Sequence, residues 1–175
     1  PDDVARAILD KSGVGGGVGG VVAICGLSGT GKGTTVAKLH GMLPGSVGWS
    51  NGNIFRSLTL LASTWCEQNG AEFGEAMLTP ERIGELMDML SFDCWPGEDG
   101  GEGVWDTRIC GMGLDCKVAD VQNTELKGPK VKGRIPTVAN FSQGEVVKFA
   151  SAAVNKMGGQ GLVVLLEGRQ QTVDY

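Results

Sequence analysis

The stretch that most limits what this chain can fold into is residues 26–35, GLSGTGKGTT. Five apolar residues, VVAIC at 21–25, precede it. A segment with helical spacing follows, in which Val36, Leu39 and Leu43 form a stripe before Pro44 and Gly45 stop it, so the spacing predicts a helix over 31–43. Strand, glycine loop, lysine and helix in that order make a phosphate-binding arrangement. The glycines let consecutive backbone N–H groups turn inward as a nest for an anion. The positive end of the helix dipole faces the same anion. Gly26, Gly29, Thr30, Gly31, Lys32, Gly33 and Thr34 are the candidate phosphate-holding residues. Lys32 supplies a mobile cation for the β- and γ-phosphates of a nucleoside triphosphate. A chance glycine run beside a lysine would lack the apolar strand on one flank and the apolar helical stripe on the other.

Length and charge narrow the field. At 175 residues the chain fits one domain, with room for a small insert. A net charge of −5 argues against a broad nucleic-acid surface and still allows a local basic pocket. Five cysteines, an odd number without a CxxC pair, read as reduced thiols rather than disulfides or a zinc site. Cys25, ending an apolar strand, is expected to be buried. No stretch is long enough to cross a membrane and no signal peptide is visible. The expected location is intracellular and reducing, in cytoplasm or an organellar matrix. The start at Pro1 instead of Met is compatible with a processed leader.

Along the chain, residues 1–12 read as a short helix with Asp2 and Asp3 at its start and Val4, Ile8 and Leu9 on its apolar side. Residues 14–20 (VGGGVGG) read as a flexible linker. A short strand at 47–49 leads through Asn51, Gly52 and Asn53 into a helix over 54–68, with Ile54, Leu58, Leu61 and Trp65 on one side. Thr79 as cap and Pro80 at the first position start a helix that runs to about Leu90. Residues 91–122 read as a small antiparallel β insert with strands at 92–95, 104–109 and 116–118, its Met and Trp residues serving packing. Residues 121–144 are polar and interrupted by Pro129 and Pro136. Ser142 and Glu145 form a capping box that opens a helix to Met157. Residues 161–166 (GLVVLL) fit a buried parallel strand, with Glu167, Gly168 and Arg169 at the end where ligands gather in open α/β sheets.

Four segments together resemble one family. From about Gly20 to its end the chain is similar to cytidylate kinases of the bacterial type, a family of nucleoside monophosphate kinases. The loop and helix GLSGTGKGTTVAKL resemble that family's phosphate-binding loop, including Gly33 in the slot where other such loops carry Ser or Thr. Residues 50–62 (SNGNIFRSLTLLA) resemble its Asp-Ser/Thr-Gly-Ala-Met-Tyr-Arg-Ala segment. Residues 121–126 (VQNTEL) sit where it has Ile-Arg-Thr-x-x-Val, and residues 163–173 (VVLLEGRQQTV) resemble its Val-x-x-Gly-Arg-Asp-x-Gly-Thr-Val.

The resemblance implies an α/β P-loop kinase fold, a three-layer arrangement around a parallel sheet with a small antiparallel β insert. Residues 1–20 would be an N-terminal helix and linker, and residues 21–175 the kinase-like domain with its insert at about 91–122. It also implies phosphoryl transfer from ATP, with Mg²⁺, to CMP or dCMP. Mg²⁺ would be carried mainly by phosphates and water, since Gly33 has no hydroxyl. Lys32, Arg56 and Arg169 would act on the transferring and accepting phosphates, and Ser50, Gly52, Arg56 and Arg169 would bind the pyrimidine nucleoside monophosphate. Arginines suit phosphate oxygens, and phosphoryl transfer is mostly positioning and charge neutralisation.

The departures each remove a charge. Gln122 stands for the Arg of Ile-Arg-Thr, Gln170 for the Asp after Gly-Arg, and Ser50 for the Asp of the acceptor loop. Further strands and an arginine-bearing lid would lie beyond Tyr175, so a fragment, half of a split protein or a degenerate relative is expected, with little CMP kinase activity of its own. The alternative readings are a kinase-like domain kept as a structural or assembly component and a nucleotide-binding regulator without turnover. In the implied strand order, the strand at 21–25 would be left with a free edge. A protein partner, or residues beyond this chain, would then cover it.

Overall fold

The computed structural model of the chain describes residues 2–14, 19–27, 29–97 and 101–169. The chain is mixed α/β, with a three-stranded parallel sheet and a small antiparallel sheet. Described residues up to Gly52, together with those from Val147 onward, form one compact unit; Asn53–Val146 forms the other. No helix among the described residues is long and apolar enough to cross a membrane.

The first unit is built on β1 (Gly20–Cys25), β2 (Val47–Ser50) and β6 (Val163–Gly168), in the parallel order β1-β6-β2. β6 is central because both its faces are apolar: Val163 to Leu166 are all buried. One sheet face meets α1 (Asp2–Ser12) and α2 (Lys32–Met42). There Val22, Val163 and Leu165 join Ala5, Leu39 and Leu43 in one core, with Ile8, Leu9, Val36 and Ile24 packed around it. Ala5 is the fully buried residue of α1, while Val4 is exposed. On the other face Trp49 is buried, and its ring lies 5.9 Å from that of Phe149, on α7 (Ile135–Gly158).

β1 occupies one edge of this sheet, with β6 on its inner side and no strand on its outer side among the described residues. Only one face of it is covered. Val22 is buried, but Val21 is half exposed and Ala23 and Cys25 are exposed. The expected burial of Cys25 is therefore corrected. Alternation along an edge strand puts Val21, Ala23 and Cys25 on the face away from α1 and α2. All five cysteines are free thiols, and Cys66 is the buried one.

The second unit carries most of α3 (Asn51–Asn69), a helix buried almost all round between Ile54 and Ala62. Its buried hydroxyls are satisfied, one within the helix and one by a distant partner: Thr59 donates to the Phe55 carbonyl at 2.7 Å and Ser63 to the Lys130 carbonyl, 67 positions on, at 3.2 Å. α4 (Pro80–Met87) starts as its residues dictate, with the Thr79 hydroxyl accepting from the Arg82 N–H at 3.2 Å. It ends before Leu90, which opens a strand. β3 (Leu90–Trp95), β4 (Val104–Gly111) and β5 (Leu114–Lys117) form the antiparallel sheet in that order. β4 turns into β5 through Met112 and Gly113, both at positive φ, as a tight two-residue hairpin needs. Val118, expected in the last strand, instead begins the short helix α5 (Val118–Val121).

The stretch 121–144 is more helical than its prolines suggest. It holds a 3₁₀ turn at Glu125–Lys127, the short helix α6 (Pro129–Lys132) and the start of α7. The expectation that Ser142 caps a helix is corrected. Ser142 is fully buried inside α7, and its hydroxyl donates to the Val138 carbonyl at 2.8 Å. Pro136 lies in the first turn of α7, where a missing N–H costs nothing. Val138, Val146, Ala150, Ala153 and Met157 then carry a buried helical stripe past the serine.

Candidate functional site

In the first unit the loop between β1 and α2 is shaped by glycines in left-handed conformation. Gly29 has φ 82° and Gly31 has φ 86°, values that a side chain bearing a Cβ rarely adopts. Gly26 allows a close approach: a Cβ there would sit 3.1 Å from the Thr30 hydroxyl. That hydroxyl donates to the Leu27 carbonyl at 2.7 Å. Gly31 caps α2, and its carbonyl accepts from the Thr35 N–H at 3.1 Å. Lys32, the first residue of α2, is half-buried and folds back over the loop. Its ammonium donates to the Gly26 carbonyl at 2.8 Å and the Leu27 carbonyl at 2.7 Å. The ammonium thus sits over the loop, satisfied by two neutral acceptors that an anion's oxygens could replace.

A carboxylate completes this end of the sheet. Glu167 pairs with Ile24 of β1 and Ser50 of β2 at the carboxyl end of β6. Its Oε1 accepts a long hydrogen bond of 3.5 Å from the Ser50 hydroxyl. Its Oε2 would be 3.4 Å from a Cβ built on Gly33. The absent side chain at Gly33 therefore leaves space that the Glu167 carboxylate borders. Ser50 ends β2 and is half-buried, Gly52 lies in the first turn of α3, and Arg169 directly follows β6. Thr34 is exposed in the first turn of α2. The structure thus brings Lys32, Gly33, Ser50 and Glu167 to the carboxyl end of the parallel sheet. Gln170 lies outside the described residues.

In the second unit Arg56 belongs to a different cluster. Its Nη1 donates to the Asn53 amide oxygen at 2.9 Å. Asn53 Nδ2 donates to Gln122 Oε1 at 3.1 Å, and Gln122 Nε2 donates to the Ala119 carbonyl at 3.3 Å. α5 is itself fixed by Asp106. The two Asp106 carboxylate oxygens accept the Thr107 N–H at 2.7 Å and the Ala119 N–H at 2.9 Å. Burial pushes the Asp106 carboxyl above its ordinary value, against the pull of those two backbone bonds.

Glu167 and Asn53 were given no role by sequence reasoning. The signal for Glu167 was available, as an acid ending a wholly apolar strand. Asn53 carried none, because its partner lies 69 positions away. In comparisons with known proteins, no family model and no curated protein matches the chain.

Proposed function

We propose that this chain is a P-loop kinase-like domain akin to cytidylate kinases, binding ATP through Gly26, Gly29, Thr30, Gly31, Lys32, Gly33 and Thr34. The observation that carries the reading is the loop itself. Two left-handed glycines and a lysine folded onto the loop carbonyls stand at the carboxyl end of a parallel strand that feeds a helix. Backbone N–H groups and the helix dipole of α2 would then face the phosphates, with Lys32 exchanging its carbonyl partners for phosphate oxygens.

Mg²⁺ would be carried mainly by phosphates and water. Among the described residues no group of three or more His, Cys, Asp or Glu could hold a metal. One carboxylate, Glu167, borders the space at Gly33, and hard oxygen ligands suit this ion. Glu167 and Ser50 would receive its bound water, and the ion would spread the charge of the phosphates. Arg56 and Arg169 would neutralise the phosphate of a pyrimidine nucleoside monophosphate acceptor.

A second reading, a weakened kinase-like component of an assembly, is favoured by two observations. Gln122, a neutral residue where the resembled pattern has Arg, is the one bonded into the Arg56 cluster. An arginine acting on phosphoryl charge can be worth on the order of 10³ in rate. β1 also has no strand on its outer side among the described residues, and its face bearing Val21, Ala23 and Cys25 is exposed, the kind of edge that proteins cover. A strand or subunit laid against it would protect the Cys25 thiol from alkylation.

Titration calorimetry with ATP and Mg²⁺ tests nucleotide binding. Lys32→Ala is expected to weaken it by about tenfold to a hundredfold, the range for losing hydrogen bonds from a charged donor. No binding at millimolar ATP, or equal affinity in the variant, refutes the proposal. A coupled CMP kinase assay then separates the two readings. Turnover of about 1 per second or faster supports a working enzyme, and its absence with ATP binding intact supports the assembly component.

A further inference from the structure

Arg56 is half-buried on α3 and makes no ion pair among the described residues. Of the other arginines in the same unit, Arg134 lies over the Phe73 ring at 4.6 Å without an ion pair among the described residues, and two are compensated by carboxylates. Arg82 pairs with Glu85 at 2.5 Å, and Arg108 grips both oxygens of Asp115 at 2.6 and 2.7 Å. The Arg56 contact goes to a neutral amide instead. A guanidinium does not lose its proton, so this one keeps its whole charge in a partly desolvated place.

The amides holding it have only one consistent polarity. The Ala119 carbonyl can only accept, so Gln122 turns its NH₂ there and its oxygen toward Asn53. Asn53 must then give its NH₂ to Gln122, which leaves its oxygen for Arg56. Arg56 can only donate, so the far end agrees. Asp106 anchors the chain of amides by accepting the Ala119 N–H. An aspartate at 53 would hold Arg56 equally well in geometry, but would cancel its charge. The amide therefore orients the cation without neutralising it.

We propose that Asn53 and Gln122 are positioning residues, which hold Arg56 through a neutral amide relay so that its remaining N–H donors receive the phosphate of an acceptor nucleotide. This deepens the reading of Arg56 given above and rests on it. The relay has two jobs: it fixes the fork in direction, as phosphate recognition requires, and it leaves the site one full positive charge.

The test uses the full chain, with CMP as the probe, and three variants. CMP affinity by calorimetry is expected to fall by about tenfold to a hundredfold in Arg56→Met. In Asn53→Asp it falls by about tenfold or more while the melting temperature holds or rises, because the new carboxylate pairs with Arg56. In Gln122→Ala it falls less, and the Arg56 guanidinium, followed by ¹⁵N NMR, rotates faster than in the parent. CMP binding that is absent, or unchanged in Arg56→Met, overturns the acceptor reading and the relay with it. Binding lost in Arg56→Met but unchanged in both Asn53→Asp and Gln122→Ala overturns the relay alone. An Arg56 guanidinium equally ordered with and without Gln122 does so as well.

Discussion

The loop at 26–32 and the cluster around Arg56 both put a cation among neutral acceptors, but they are built differently. In the loop every participant lies within six positions of Lys32, and the acceptors are carbonyls of the loop's own backbone. In the cluster Arg56 and Asn53 share one turn of α3, while Gln122 and Ala119 come from the far side of the antiparallel sheet in sequence. A site made by local backbone geometry is written in consecutive residues. A site made by tertiary packing is written in residues whose meaning depends on partners elsewhere.

The largest expected effect breaks the loop through its backbone. Gly31→Val places a β-branched residue at φ 86°, a conformation costing on the order of 1–3 kcal/mol. The loop is expected to relax by abandoning its nest, so ATP affinity by calorimetry should fall by about a hundredfold, the upper end of the range for Lys32→Ala. If Gly31→Val binds ATP as the parent does, the left-handed turn is incidental and the comparison fails on its first side.

Next comes Asp106, which supports the second site from behind. Asp106→Asn can accept only one of the two backbone N–H bonds and turns an NH₂ toward the other donor. A loss of about 1–3 kcal/mol in denaturant unfolding is expected. The parent should also show a pH signature. The folded Asp106 carboxyl titrates above its ordinary value of 3.8 because burial disfavours its charge. Between the ordinary and the raised value the folded state binds more protons than the unfolded one, so stability falls as pH rises through that window. The melting-temperature advantage of the parent over Asp106→Asn should therefore shrink as pH is raised above about 4. A gap that widens with pH would mean that the two backbone bonds, not burial, dominate this carboxyl.

Much of the fold was legible for the same reason as the loop. The apolar run at 163–166, the Thr79–Pro80 start of α4 and the hairpin strands all follow from local pattern, and each lies close to where periodicity puts it. What escaped was tertiary. Cys25 looked buried because VVAIC is apolar, but its exposure depends on whether anything packs on the sheet face that alternation points it to. Ser142 looked like a cap because Glu145 follows at the right spacing, yet the buried stripe from Val138 to Met157 runs straight through it. Glu167 was legible as an acid ending an apolar strand, but its place beside Gly33 depends on β6 pairing with β1. Ser142→Ala checks that lesson. A cap would cost about 1 kcal/mol when lost. A mid-helix hydroxyl bonded to its own i−4 carbonyl should change stability by less than about 0.5 kcal/mol, since alanine is the better helix former.

Gly33 offers the smallest effect and the finest distinction. Unlike Gly29 and Gly31 it is not in a left-handed conformation. Alanine there gains helix propensity of up to about 1 kcal/mol. Its Cβ would meet Glu167 Oε2 at 3.4 Å, the far end of a flexible side chain that can move by a few tenths of an ångström. The two effects oppose each other, so Gly33→Ala is expected to melt within a few degrees of the parent. The informative measurement is ATP affinity with and without Mg²⁺. If Glu167 receives the water of the ion, displacing its carboxylate should weaken Mg²⁺–ATP by about twofold to fivefold while leaving metal-free ATP unchanged, because the phosphate nest itself is intact. Equal losses in both conditions would place the cost in the loop backbone and remove Glu167 from the site. No loss in either would leave the space at Gly33 as a matter of packing alone.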